Sequence, residues 1–76
     1  MHGRISDEEW DIYREAYQYL AEHIDPPAGQ DAKAEAWWMA AAGNAAAVYR
    51  RWNGHPLMRC LLAAIYRYLG EKAKDH

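Results

Sequence analysis

Apolar residues recur along this chain at the three- and four-residue spacing of amphipathic helices, in three separate stretches. The stretches are divided by an Asp-Pro-Pro-Ala-Gly segment at 25–29 and an Asn-Gly-His-Pro segment at 53–56, both typical of turns. Because short connections favour antiparallel neighbours, the sequence predicts an all-α fold, a small antiparallel three-helix bundle. Its helices are expected at about 7–24, 31–53 and 56–72, within a single helical domain that spans 1–76. The main alternative is that the second and third helices form a hairpin core while the first helix packs across a partner subunit.

The start of the first helix has the most complete local pattern in the chain. Ser6 is a favoured N-cap residue, and Glu9 three positions later completes a capping box. Ile5 and Trp10 occupy the two positions of a hydrophobic staple. Asp31 is the predicted N-cap of the second helix.

One face of each helix is predicted to form the core. In the first helix the predicted core stripe is Trp10, Tyr13, Tyr17, Leu20 and Ile24, with a flank of Ile12, Ala16, Tyr19 and His23. In the second helix the core face comprises Trp37, Trp38, Ala41, Ala45, Val48, Tyr49 and Trp52. In the third helix the apolar arc comprises Leu57, Met58, Leu61, Leu62, Ala64, Ile65, Tyr68 and Leu69. The side chains that we expect to be buried include Trp38, Trp52, Leu61 and Ile65.

The second helix is also apolar on the side away from this core. Small residues follow one another there at heptad-like spacing, with a methionine beside them. A surface helix usually carries Lys and Glu on its outer side, and an exposed apolar patch usually marks a contact. Alanine is also the best helix former, so a merely exposed helical face is the alternative. We predict a protein interface, and self-association as a homodimer, through Ala36, Met39, Ala40, Gly43 and Ala47.

The length and composition of the chain favour association as well. A domain of 76 residues buries only about 60% of its unfolded surface, so it is marginal without disulfides, metals or partners. Cys60 is the single cysteine, which excludes an intramolecular disulfide. With no secretory segment in the first ten residues, a cytoplasmic location is expected. Arginines interrupt every apolar run, so no membrane span is expected.

Charge is distributed unevenly along the sequence. Residues 1–38 carry three basic and nine acidic side chains, a net charge of −6, whereas residues 39–76 carry six basic and two acidic ones, a net charge of +4. The two halves therefore attract each other, within one fold or between copies. The alternative use of the basic half is nucleic-acid binding by a helix-turn-helix outline, with contacts from Arg50, Arg51, Arg59 and Arg67. The third helix, however, offers few polar side chains that could contact base edges.

No pattern in the sequence predicts catalysis, a metal site or a cofactor. The four histidines are scattered and lack the paired spacing of metal ligands. His55 and Cys60 are close enough in sequence to suggest a nucleophile pair, but a lone cysteine on a helix is more often a packing residue. The carboxylates of the first helix are explained by capping and by the helix dipole. The sequence contains no glycine-rich phosphate loop.

These observations predict a small non-enzymatic protein that binds another protein, as an adaptor or a stoichiometric inhibitor. Its size and its Trp- and Tyr-rich composition suit the accessory proteins that phages and mobile elements carry, including those that act on a host complex. A nucleic-acid-binding regulator that uses the basic region is the alternative. Phosphate contacts weaken steeply with salt, whereas a packed apolar interface does not, so salt dependence distinguishes the two hypotheses.

Overall fold

The computed structural model describes residues 3–74 as three helices, α1 (Asp7–Glu22), α2 (Ala32–Arg51) and α3 (Pro56–Lys74), with no strand in that range. Both α1 and α2 pack on α3. Glu8 contacts His55 at the start of α3, and Lys72 near the end of α3 donates to the carbonyl of Ile24, so α1 and α3 run parallel. The connecting α2 runs the opposite way. The predicted three-helix bundle is therefore confirmed, with every helix end within two residues of the expected one.

The predicted capping box at the start of α1 is present. The Glu9 backbone N–H donates to the Ser6 hydroxyl at 3.1 Å, and the Ser6 backbone N–H donates to the Glu9 carboxylate at 2.9 Å. The Ser6 hydroxyl also donates to the Glu9 carboxylate at 3.0 Å, and the two hydrogen bonds that this carboxylate accepts from Ser6 lower the pKa of Glu9 below its ordinary value, the backbone bond having the largest effect. Asp31 caps α2 in the same way, because its carboxylate accepts from the Ala34 N–H at 2.8 Å.

Removing the hydroxyl with Ser6→Ala is expected to lower the free energy of unfolding by about 0.5–2 kcal/mol, because an N–H group of the first turn loses its acceptor. Urea denaturation followed by circular dichroism measures this loss. Ser6→Asp keeps an acceptor at the cap and is the matched control, expected to remain close to the wild type. Equal stability of all three proteins would show that the box contributes nothing.

The core face of α1 differs from the predicted one. Ile12, Ala16 and Tyr19 are the buried side chains of this helix, with His23 just beyond its end. Of the predicted core stripe, Leu20 packs against the core, whereas the large exposed hydrophobic side chains include Trp10, Tyr13, Tyr17 and Ile24. The stripe and its flank have therefore exchanged roles.

Size and hydrogen bonding explain why the flank faces inward. Both sets of residues have the same three- and four-residue spacing, so periodicity alone does not distinguish them. The small side chain of Ala16 leaves space for the neighbouring helix, and the Tyr19 hydroxyl donates to the Ala41 carbonyl of α2 at 2.9 Å. A buried tyrosine needs such a partner for its hydroxyl. Burial of Tyr19 raises the pKa of its phenol, with a smaller contribution from Tyr66.

The predicted core face of α2 agrees with the structure, and that of α3 agrees except at Ala64 and Tyr68, which are exposed. The predicted arc of α3 is wider than the surface that α1 and α2 cover, so its edge residues remain in water. Ala41 and Val48 of α2 and Met58, Leu62 and Leu69 of α3 are buried. Four side chains that the sequence assigned to the interior are only half-buried, although they still pack against the core: Trp38, Trp52, Leu61 and Ile65. A thin three-helix fold has little interior, so large side chains at its edges retain contact with water.

The turn between α2 and α3 uses two left-handed residues. Asn53 has φ 54° and Gly54 has φ 70°. A Cβ at Gly54 would lie 3.1 Å from the Tyr49 hydroxyl, so glycine suits this position both sterically and conformationally. Pro56 then opens α3, as the sequence predicts.

The bundle is elongated for its length. Its Cα radius of gyration is 13.9 Å, compared with about 11 Å for a compact domain of this size, and its extents are 47 × 26 × 16 Å. None of the helices described is both long and apolar enough to cross a membrane. The thin shape leaves a large share of each helix surface exposed.

Candidate protein-interaction surface

A polar and aromatic network joins α1 to α2 and fixes their relative position. The buried His23 ring contacts the Tyr19 carbonyl through Nδ1 at 2.7 Å and the Asn44 amide through Nε2 at 3.1 Å. Because a carbonyl only accepts, Nδ1 carries the proton and Nε2 accepts from Asn44. The aromatic rings then contact one another in sequence: His23 contacts Trp37, Trp37 contacts Trp38, and Trp38 contacts Tyr66 of α3.

A second α1–α2 connection lies nearer the start of α1. The Glu15 carboxylate accepts from the Arg51 guanidinium and, at 2.9 Å, from the Trp52 indole N–H. The Arg51 hydrogen bond is the main cause that lowers the pKa of Glu15 from 4.5; burial opposes it and the Trp52 bond adds to it. Arg51, one of the four candidate nucleic-acid contacts, is thus an intramolecular partner.

Acid is expected to weaken this connection. A carboxyl whose pKa is lower in the folded state stabilises the fold above pH 4.5, and that contribution is lost as the pH falls through the lower folded-state pKa. Glu15→Gln should therefore be less stable than the wild type at neutral pH and should lose less stability on acidification, as measured by urea unfolding. The control Asp11→Asn removes an exposed carboxyl 3.8 Å from Arg14 and should follow the wild type. An unchanged pH slope in Glu15→Gln would contradict this role.

The predicted interface residues of α2 lie on the surface. Ala36, Met39, Ala40 and Gly43 are exposed and Ala47 is half-buried. Met39 exposes 70% of its area, which is unusual for a large apolar side chain. We call these five residues the back row; four of them are exposed, and Ala47 is partly covered beside α1.

Gly43 lies in open space within the back row. A Cβ built there would meet no atom within 4 Å. Because alanine is favoured over glycine inside a helix, Gly43→Ala is expected to raise the free energy of unfolding by about 0.5–1 kcal/mol. Chemical denaturation at low protein concentration, where self-association is weakest, measures this gain. A loss of stability would show that the glycine is required within the monomer.

A groove between α2 and α3 extends the apolar surface beyond the back row. It has a volume of about 580 Å³, and its walls include Ala42, Ala46, Tyr49, Arg59, Ala63 and Tyr66. At roughly 100° per residue, Ala42 and Ala46 lie on α2 next to Met39 and Gly43. The groove and the back row therefore form one continuous surface of small side chains.

The sequence alone does not predict this groove. Ala42, Ala46 and Ala63 look like ordinary helix-forming residues until the two helices are placed side by side. A usable pattern exists nevertheless: small residues four apart on α2, followed by a small residue one turn before an aromatic on α3. That spacing leaves a depression between two packed helices.

Three arginines border the groove. Arg59 lines it, while Arg50 and Arg67 each follow a groove alanine by four residues and so lie on the same side of their helices. All three are exposed, and no ion pair involves them within residues 3–74. Arg50, Arg59 and Arg67, the other three candidate nucleic-acid contacts, therefore lie along the border of an apolar groove.

The geometry of α2 and α3 differs from a helix-turn-helix. Tyr49 approaches Gly54 at one end of the pair, and Trp38 contacts Tyr66 toward the other, with ring centroids 5.4 Å apart. The helices therefore run side by side, whereas a helix-turn-helix crosses at about 90–120°. Met58, near the start of α3, is buried rather than presented to a ligand.

The suggested pair of His55 and Cys60 has another explanation. The Leu57 backbone N–H donates to His55 Nδ1 at 3.1 Å, so the imidazole caps α3. His55 Nε2 lies 3.0 Å from the Glu8 carboxylate of α1. Both ring nitrogens are thus occupied by structural contacts, and Cys60 is an exposed, free thiol.

No group of three His, Cys, Asp or Glu side chains in the described part of the chain is arranged to hold a metal ion. His2 and His76 lie outside the described residues. Comparisons with protein families, with curated proteins and with solved structures found no match to this chain. The candidate site is therefore defined by this chain's own geometry.

Proposed function

We propose that this chain is a small non-enzymatic protein-binding protein that acts as an adaptor or a stoichiometric inhibitor. The observation that carries the proposal is the continuous surface of small and apolar side chains formed by the α2 back row and the α2/α3 groove, with arginines at its border. A monomer that needed no partner would gain solubility from Lys or Glu at these positions.

The surface has the features of a helix-binding site. Its floor is made of alanines, which let another helix approach closely, and its edges carry tyrosine and arginine, residue types enriched in interfaces. Amphipathic helices bind such grooves through large side chains at three- and four-residue spacing. We therefore propose that the partner presents an amphipathic helix, and that a second copy of this chain is among the partners, as in a homodimer.

Size and composition support the broader setting of this proposal. A single cysteine suits the reducing cytoplasm, and a one-domain chain with an open binding surface suits stoichiometric binding to a larger complex. We place it among the accessory proteins of phages or mobile elements that act on a host complex.

Capture of partners from the native cells tests the function. The tagged wild-type chain is compared with Ala40→Glu, which adds a charge to the back row, and with Ala46→Glu, which adds one to the groove. The control is Gln18→Glu, which adds the same charge to the exposed polar side of α1. All four proteins should be equally helical by circular dichroism. We expect a protein partner with the wild type and Gln18→Glu that is lost with one or both alanine variants. The same proteins captured by all four chains would contradict the proposed surface.

Nucleic-acid binding is the second candidate, carried by the three exposed arginines at the groove rim. It predicts that binding weakens steeply with added salt and disappears when Arg50, Arg59 and Arg67 are replaced by glutamine. The apolar groove has no role in that alternative, so Ala46→Glu would matter only through its charge. Titration of labelled duplex and single strands at several salt concentrations tests it separately.

A further inference from the structure

The structure exposes a second apolar surface, on α1. The aromatic stripe, as we call it, consists of Trp10, Tyr13 and Tyr17, which follow one another at three- and four-residue spacing. Trp10 exposes 57% and Tyr17 exposes 70% of its area. Large aromatic side chains in a row on one helix are the kind of ligand that an alanine-lined groove accommodates.

Charge makes the stripe and the groove complementary. The range Asp7–Glu22 contains six acidic residues and one basic residue, Arg14, a net charge of −5 for α1, although Glu15 is already paired with Arg51 of α2 and Asp11 lies 3.8 Å from Arg14. The groove is bordered by the three arginines. Two stripes facing each other would bring acidic helices together, and two grooves facing each other would bring arginines together. Only a contact of stripe with groove joins opposite charges.

The exposed area is large enough for such a contact. The chain exposes 5822 Å², whereas a folded monomer of 8.8 kDa exposes about 4,800 Å². The excess, about 1,000 Å², is comparable with the roughly 800 Å² that each partner contributes to a standard interface. A second copy that covers the groove would bring the exposed area per chain to an ordinary value.

We propose that the aromatic stripe of one copy binds in the α2/α3 groove of another copy, head to tail. This rests on the proposed function, since it uses the same groove. A head-to-tail contact leaves one free stripe and one free groove on every pair, so association continues into a ring or an open filament. A symmetric homodimer through the back row, in contrast, stops at two copies.

Mixing two disabled variants tests the proposal. Tyr17→Glu blocks the stripe and Ala46→Glu blocks the groove; both positions are exposed, so both variants should fold. In sedimentation velocity the wild-type mass should rise with concentration beyond that of two copies, while each variant alone should weaken association by about tenfold or more, as hot-spot residues do. An equimolar mixture should form a one-to-one dimer, because each variant supplies the surface that the other lacks. Gln18→Glu, beside Tyr17, should associate as the wild type does.

Three results would overturn the head-to-tail contact. Wild-type association by both variants would show that neither surface is used. Variants that stay monomeric when mixed, with a wild type that stops at two copies, would show a symmetric dimer instead. A wild type that is monomeric at every concentration would exclude self-association altogether. In the last case, capture of partners from native cells still decides the proposed function independently.

Discussion

The Ile12→Ala variant is expected to lose about 2–5 kcal/mol of unfolding free energy, the usual cost of an Ile-to-Ala change in a core. Ile12 has no exposed area and belongs to the cluster that joins the three helices. A domain of this length has a total stability of about 4–11 kcal/mol, so the loss removes a large part of it. Urea denaturation followed by circular dichroism measures the change, and unfolding in buffer would be the extreme case of the same result.

The matched control for Ile12→Ala is Tyr17→Ala on the opposite side of α1. Tyr17 belongs to the stripe that the sequence assigned to the core, yet it is among the most exposed large side chains. Its replacement should change stability by no more than about 0.5 kcal/mol. If Tyr17→Ala proved costly and Ile12→Ala did not, α1 would face the core with its aromatic stripe, and the exposed surface proposed here would not exist.

Tyr19→Ala is expected to be comparably destabilising, at about 3–5 kcal/mol, because it removes a buried ring. The ring stacks on His23 with centroids 4.3 Å apart, and its hydroxyl binds α2. Tyr19→Phe keeps the ring and removes only the hydroxyl, so it should cost about 0.5–1.5 kcal/mol. The two variants separate packing from hydrogen bonding in the same unfolding assay. Equal losses would mean that the hydrogen bond, and not the ring, holds α1 to α2.

The helices were predictable because local chemistry determines where they begin. Ser6 and Asp31 cap α1 and α2, and Pro56 opens α3, each by contacts within a few residues in sequence. The orientation of α1 was not predictable by the same means. Ile12 and Trp10 belong to arcs of equal spacing, and the choice between them depends on whether α2 supplies an acceptor for Tyr19 and whether the core cluster accommodates Ala16.

The candidate surface was predictable only in part. The back row follows from one helix, because Gly43 and its neighbours lack charge on a side that the core does not use. The groove needs two helices, since Ala46 on α2 and Ala63 on α3 become neighbours only after packing. Likewise, Arg51 differs from the other three candidate nucleic-acid contacts because it pairs with Glu15 of α1. The spacing of residues in the sequence does not predict this ion pair.

The claim that this chain works by protein contact through the α2/α3 surface is tested most directly by crosslinking in its native cells. A photoreactive amino acid at position 46 would lie in the groove, and the same residue at position 25 would lie in the exposed turn that follows α1, away from the groove. We predict that position 46 gives a defined covalent adduct with a protein, whether a second copy or a different chain, and that position 25 gives none. Adducts of equal yield at both positions, or no protein adduct at position 46, would contradict the proposed binding surface.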